Sequence, residues 1–315
     1  MSQFANDVRA GLERPDKRLS SKYFYDDEGS QIFQEIMAMP EYYLTDAEMD
    51  VLSNQSREIL SATGFNGPFN VVELGAGDGI KTQHMLKAFL AEGAQLVYRP
   101  IDISAKAVEI VQERLSLELP ALEVKPEIGD YFEQMQAIKS SEAPSLILFL
   151  GSNIGNYVPP ENLNLVRLIA EHMAQGDQLM IGVDLRKDPN MIRRAYDDSQ
   201  GITRRFNLNL LKRINRELGA DFKLDAWDFY CSYNPMNGEV RSYLMSKEKQ
   251  EVYIEALNQK FSFGRYELIW TELSKKYSLD ELTEMCSKAG LSHKAHFLDS
   301  QQHFTDSLFL RNEFE

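Results

Sequence analysis

Scarcity is informative in this 315-residue chain. It has two cysteines, Cys231 and Cys286, too few for a disulfide framework, and neither has a basic residue beside it to create a low-pKa thiol. No stretch approaches the roughly 18 consecutive apolar residues of a membrane helix, so no membrane partner is expected. The N-terminal "MSQFANDVRAGLERPDKRL" lacks an apolar segment of the signal-peptide kind, and a cytoplasmic location is the expectation. Positive charge is in deficit: 34 Lys and Arg stand against 48 Asp and Glu, a net charge of −14. A surface of that sign repels polyanions, so no nucleic acid is expected as a partner. There is no internal repeat and no low-complexity tract. His293 and His296 are spaced for a metal pair but have no third ligand near them, and no metal is expected. Gly151-Ser152-Asn153 lacks the frame of a nucleophile elbow.

What is present is the balance of a globular protein, 43% apolar and 26% charged. The first 60 residues read as helical, and "LTDAEMDVL" carries a capping-box pattern in Thr45 and Glu48. From Phe69 onward short apolar runs alternate with amphipathic stretches. "NVVEL", "LVYRPID", "LEVKPEIGD", "SLILFLGS" and "QLMIGVDL" read as strands, the first two followed by helices through "KTQHMLKAFL" and "SAKAVEIVQERL". Apolar strands separated by helices imply an α/β fold with a parallel sheet covered on both faces. After Asp188-Pro189 the alternation stops. "ITRRFNLNLLKRINREL" reads as a helix, and two aromatic-rich runs flank the turn Asn234-Pro235-Met236-Asn237-Gly238, a hairpin signal. "ELIWTELSKKY" reads as a strand. "SLDELTEMCSKAG" is a helix with its own capping box, Ser278 and Glu281, followed by the strand-like "HKAHFLD" and "FTDSLFLR". A core of residues 61–190 and 276–315 is expected, with a second lobe of 1–60 and 191–275.

The stretch "VVELGAGDGIK" ends the first strand and opens a helix, which is where an open α/β sheet binds its ligand. Its glycines at 75, 77 and 79 do not follow the G-x-G-x-x-G of dinucleotide binding, nor does the loop form a Walker sequence. Glu73, two places before Gly75, would repel a pyrophosphate and suits a cationic ligand. A sulfonium is such a ligand, and E-x-G-x-G is the usual mark of S-adenosylmethionine-dependent methyltransferases. Asp102 ends the second strand, where a carboxylate can accept both ribose hydroxyls. The third strand ends in Gly129-Asp130-Tyr131, suited to an adenine edge. Glu73, Gly75, Gly77, Lys81, Asp102, Asp130 and Tyr131 are therefore the candidate donor-binding residues, with S-adenosylmethionine as the cofactor.

Several longer stretches narrow the reading: "KYFYDDEGSQIFQEI", "PEYYLTDAE", "VELGAGDGIKT", "FLGSNIGN", "RAYDDSQGITRRFNLNLLKRINRELGADF" and "TELSKKY". Through them the chain resembles, from about Val8 to Leu310, the histidine-specific methyltransferases that make Nα-trimethylhistidine (hercynine) on the route to ergothioneine. The same family includes enzymes that methylate the amine of prenylated tryptophan. The resemblance implies a class I methyltransferase Rossmann-like core, a doubly wound sheet ending in an antiparallel hairpin, with an inserted α+β substrate lobe. It implies that Tyr42, Asn156 and Tyr196 meet the backbone end of an amino acid substrate, that Tyr25 faces it, and that Glu272 and Ser274 grip an imidazole. Tyr25, Tyr42 and Asn156 are the residues it places at the chemistry. Ser242 falls where the family's histidine enzymes place a Met beside the ring.

The expected activity is S-adenosylmethionine-dependent methylation of the α-amine of L-histidine, up to trimethylhistidine, by a monomer acting on a small-molecule amino acid. Two alternatives stand beside it: the same chemistry on another amino acid such as a tryptophan derivative, and donor binding without catalysis. An α-amine is protonated at neutral pH and must lose its proton before it can attack. Tyrosine hydroxyls and an Asn amide orient it without adding a fixed cation, and alignment supplies much of the acceleration. Asp102→Ala is expected to abolish donor binding by calorimetry; unchanged affinity refutes its ribose role.

Overall fold

A computed structural model describes residues 2–102, 105–129, 134–135 and 143–312. The chain forms two compact units, Met1–Tyr43 with Arg186–Lys276, and Leu44–Leu185 with Tyr277–Glu315. It opens in the first unit with α1 (Gln3–Leu12) and α2 (Asp27–Met37). Side chains cap both: Ser2 accepts from the Ala5 amide and Asp26 from the Gly29 amide, each satisfying an N–H that the helix cannot.

The next helices, α3 (Leu44–Asn54) and α4 (Ser56–Thr63), belong to the second unit. The sequence pattern had grouped them with the substrate lobe. Their apolar stripe decides otherwise: Val51, Leu52 and Ile59 pack into one core with Phe69, Met85 and Phe89. The expected capping box does not form either. Thr45 lies inside α3, and Glu48 turns to Lys81 and to the Gly151 amide instead.

The second unit continues through β1 (Phe69–Leu74), α5 (Ile80–Ala91), β2 (Leu96–Asp102), α6 (Ala105–Glu118), β3 (Glu123–Val124) and β4 (Glu127–Ile128). It proceeds with β5 (Ser145–Phe149), α7 (Glu161–His172) and β6 (Gln178–Asp184). "LEVKPEIGD" was expected as one strand. Pro126 has no N–H to donate, and the run divides into β3 and β4, both paired with β2.

The first unit resumes with α8 (Pro189–Tyr196), α9 (Ile202–Leu218), β7 (Trp227–Asn234), β8 (Glu239–Ser246), β9 (Gln250–Ile254), β10 (Gln259–Phe263) and β11 (Leu268–Lys275). The second unit closes with α10 (Leu279–Lys288), β12 (Leu291–Leu298) and β13 (Phe304–Arg311). Among the described residues no helix is long and apolar enough to cross a membrane.

In the second unit the sheet order is β12-β13-β6-β5-β1-β2-β3, with β4 also on β2. The pairs among β3, β4, β2, β1, β5 and β6 are parallel, and β13 runs antiparallel to both of its neighbours. Every residue of β1, β5 and β6 is buried, which is why these strands read as unbroken apolar runs. This is the doubly wound class I methyltransferase arrangement with its antiparallel terminal hairpin.

The first unit holds a three-stranded antiparallel sheet, β11-β8-β7, and the hairpin β9–β10, which the sequence pattern had not marked. Phe206, Leu210, Leu211 and Ile214 of α9 form its core with Val8, Ile32, Leu244 and Ile269. The turn at Gly238 fixes the end of β11. Gly238 has φ 73, its carbonyl accepts from the Lys276 amide at 2.7 Å, and a Cβ there would lie 2.2 Å from the Lys276 carbonyl oxygen. Gly238→Ala therefore suffers both a left-handed backbone and a clash. A loss of about 2 kcal/mol or more is expected, read as a lower urea midpoint.

Candidate active site

The predicted donor residues lie in the second unit. β1 leaves the sheet into a loop whose glycines 75, 77 and 79 have φ of 70, 56 and 61, a region that favours glycine. The Gly75 and Ala76 amides donate to the Ile101 carbonyl at 2.9 and 3.3 Å, and the Gly77 amide donates to Asp102 Oδ2 at 3.2 Å. The loop is thereby laced to the end of β2, and Asp102 stands beside it. A Cβ at Gly77 would meet nothing within 4 Å, so open space lies over that backbone. An open loop beside one carboxylate suits a ligand bearing hydroxyls rather than phosphates.

Glu73 is placed differently from expectation. It is buried beneath the loop, accepting from Thr82 Oγ1 at 2.6 Å and from the Tyr98 hydroxyl. Burial pushes its pKa up to about 7, with Thr82 and Tyr98 pulling the other way. It therefore supports the loop from below and presents no open anionic face to a cation. Lys81 is ion-paired with Glu48, whose other oxygen accepts from the Gly151 amide at 2.6 Å. Asp306 is fully buried close by, and desolvation together with Glu48 pushes its pKa well up. Asn156 is exposed at the end of a short turn, Asn153–Asn156, after β5. Asp130 and Tyr131 lie outside the described residues.

Tyr25, Tyr42, Tyr196, Ser242, Glu272 and Ser274 all lie in the first unit. Register places Ser242 directly across from Glu272 and Cys231, and Val240 across from Ser274 and Tyr233. Directly opposed side chains share a face, so Ser242, Glu272 and Ser274 lie on one face of the sheet. Met245 is three positions from Ser242, on the opposite face with Tyr243 and Arg241, so no methionine of β8 shares the face of Glu272. Glu272 accepts no side-chain hydrogen bond from the protein among the described residues. Burial pushes its carboxyl up to about 7, against the pull of Lys276.

Ser274 Oγ lies 2.8 Å from the Tyr196 hydroxyl, and the Tyr42 ring stands edge-on to Tyr196 at 6.2 Å. Tyr25 is 47% exposed, its ring edge-on to Phe33 and Phe206, while burial of its hydroxyl and the charge of Glu272 push that group's pKa up. The predicted acceptor residues of this unit thus converge on one sheet face and the helix beside it.

The sequence profile of the histidine-specific, S-adenosylmethionine-dependent methyltransferases matches residues 4–311. The chain belongs to that family. This methyltransferase is 36% identical over 307 residues to the histidine N-alpha-methyltransferase of Mycolicibacterium smegmatis, covering 97% of this chain and 94% of that one. It is 34% identical to the enzyme of the same name from Mycobacterium tuberculosis, covering 96% and 93%. A more distant relative is the L-tryptophan methyltransferase of Psilocybe serbica, 26% identical over 94% of this chain and 90% of that one. Among solved structures, a glycopeptide N-methyltransferase complexed with S-adenosylhomocysteine aligns over 82% of this chain and 86% of its own, at 15% identity and a TM-score of 0.41. S-Adenosylmethionine is the methyltransferase's cofactor.

Sequence reasoning missed Lys276, the most deeply buried cation near the acceptor residues. Its Nζ donates to the Tyr196 hydroxyl at 2.6 Å and to Ser274 Oγ at 2.9 Å. The one available signal was its position two residues beyond Ser274, a spacing that shares a strand face; adjacent lysines otherwise read as a surface pair. Glu48 was missed for a similar reason, because its helical position suggested a cap.

Glu73 gives the methyltransferase a pH signature. Its folded pKa, about 7, exceeds the usual value of 4.5, so the folded state keeps a proton that the unfolded chain releases. That contribution is present at low pH and fades as pH rises through that interval. Glu73→Gln should remove a decline of the order of 2–3 kcal/mol across it, measured as urea stability against pH relative to the parent.

Proposed function

We propose that the protein methylates the α-amino group of L-histidine, and does so repeatedly, up to the trimethylated product hercynine. The observation that carries this reading is Glu272, a desolvated carboxyl that accepts no side-chain hydrogen bond among the described residues, two residues from Ser274 on one strand face. Such a group wants a donor from a ligand, and an imidazole N–H supplies one. The names of the two mycobacterial relatives agree with that choice. When bound, S-adenosylmethionine supplies a methyl group activated by a positive sulfur. Gly75, Gly77 and Asp102 would hold it, with Asp102 accepting from its ribose hydroxyls and Lys81 kept in place by Glu48.

The chain's own task is to present the amine unprotonated and aligned. Tyr42, Tyr196 and the amide of Asn156 are proposed to meet the amino acid's backbone end. None is itself a cation, and the Tyr42 hydroxyl can either give or receive as the amine becomes more substituted. Water can take the proton before attack, so no strong base is required. Burial of the Glu272 carboxyl raises selectivity, because a ligand without an N–H leaves it unpaired.

A second reading is favoured by Ser242. It is small, it stands across from Glu272, and space there could admit a larger ring such as that of a tryptophan derivative. Turnover of histidine against tryptophan separates the two, and clear tryptophan preference sinks the first. Glu272→Ala should weaken histidine by about 100-fold, the weight of a charge-assisted hydrogen bond, and leave the donor within about twofold. Equal loss of both would mark Glu272 as structural. Mass spectrometry of the products counts the methyl groups.

A further inference from the structure

Lys276 lies just past the end of β11 and is fully buried, and the chemistry proposed above makes no use of it. Its Nζ is 2.6 Å from the Tyr196 hydroxyl and 2.9 Å from Ser274 Oγ, and those two oxygens are 2.8 Å apart. The three atoms close a triangle. The hairpin turn holds it in place, through the bond from the Lys276 amide to the Gly238 carbonyl at 2.7 Å.

Counting lone pairs gives the triangle a direction. An ammonium has donors only, so both hydroxyl oxygens receive from Lys276. One further O–H must lie between Tyr196 and Ser274. A phenol is a far stronger acid than an aliphatic alcohol, and accepting from a cation strengthens it further as a donor. Either oxygen could give the shared proton, and these acidities favour Tyr196 as its donor. Ser274 Oγ then accepts twice, from Lys276 and from Tyr196, which occupies both of its lone pairs. Its own hydrogen has no acceptor within the triangle.

We propose that Lys276 makes Ser274 an obligate hydrogen-bond donor, so that the site selects a ring offering an acceptor atom to Ser274 together with an N–H to Glu272. The inference rests on the reading of Glu272 and Ser274 as the pair that holds the substrate's ring. Neutral imidazole meets both demands with its two nitrogens. Pyrrole and indole have an N–H and no acceptor, and imidazolium has two donors, so each would leave the Ser274 hydrogen facing a group that cannot receive it. The fixed positive charge of Lys276 further disfavours imidazolium. Lys276 is thus a positioning residue that sets specificity through Ser274 without touching the substrate. It also acts against the larger aromatic rings that the small Ser242 would admit.

The test compares kcat/KM for L-histidine with that for the pyrrol-2-yl and pyrrol-3-yl alanines, which keep one ring N–H and lack the acceptor nitrogen. The parent protein should prefer histidine over the better pyrrole by about 100-fold or more, as for other sites that bond a polar substrate group. In Lys276→Met, Tyr196 regains a lone pair and Ser274 can turn its hydrogen inward, so the preference should contract about tenfold or more. Lys276→Gln, whose carbonyl can accept that hydrogen, should do the same and serves if the Met variant does not fold. Donor affinity by calorimetry reports whether each variant is intact. A purely structural role for Lys276 would lower both substrates together and leave the ratio unmoved. Ser274→Ala measures the share of Ser274 itself. Contraction there, with none in either Lys276 variant, overturns the role of Lys276 and leaves the ring site standing. No contraction in Ser274→Ala overturns the ring site.

Discussion

Backbone pairing between β8 and β11 decides which side chains the first unit can offer to a ligand. Side chains alternate across a strand, so a slip of one residue would turn every one of them to the other face. The observed register puts Glu272 opposite Ser242 and Ser274 opposite Val240. A bulge between Trp270 and Glu272 adds a residue on one side and sets the phase of everything after it. Lys276, following in the same phase, reaches the Tyr196–Ser274 pair. Without that one extra residue, the "TELS" side chains would present Leu273 where Glu272 and Ser274 now stand.

Both units bury ionisable groups, and several of these have specific polar partners. Glu73 lies under the glycine loop with Thr82 and Tyr98, Glu48 joins Lys81 to the Gly151 amide, and Lys276 bonds two hydroxyls. Buried ionic groups of this kind add little net stability compared with apolar packing, and removing one partner is costly because the other is left exposed to a poor solvent. Their placement at the ends of β1, β5 and β11, and not in the apolar layers, fits a use in holding geometry. Glu272 differs from them. It is desolvated without a side-chain hydrogen bond among the described residues, which is the condition expected of a group that meets its partner in a ligand.

Much of the second unit was legible from the chain alone. β1, β5 and β6 are buried along their whole length, so they appear as continuous apolar runs, and turn glycines and helix periods separate them. Where the local pattern failed, a longer-range interaction had overridden it. Thr45 and Glu48 fit a capping box, yet Glu48 is bonded to Lys81 and to the amide of Gly151. The β9–β10 hairpin alternates buried and exposed residues over strands too short, and too mixed in composition, to stand out.

The sequence by itself determined the fold class, the glycine loop, the acidic end of β2 and the family to which the chain belongs, because each is written in residues close together along the chain. Only the tertiary structure decided that Glu73 supports the loop from beneath, that Ser242 and not Met245 shares the face of Glu272, and that Lys276 is buried against Tyr196 and Ser274. These depend on which strand pairs with which, and on how a bulge phases them. Tyr196 and Lys276 are 80 residues apart in the chain, and no local spacing encodes their 2.6 Å bond.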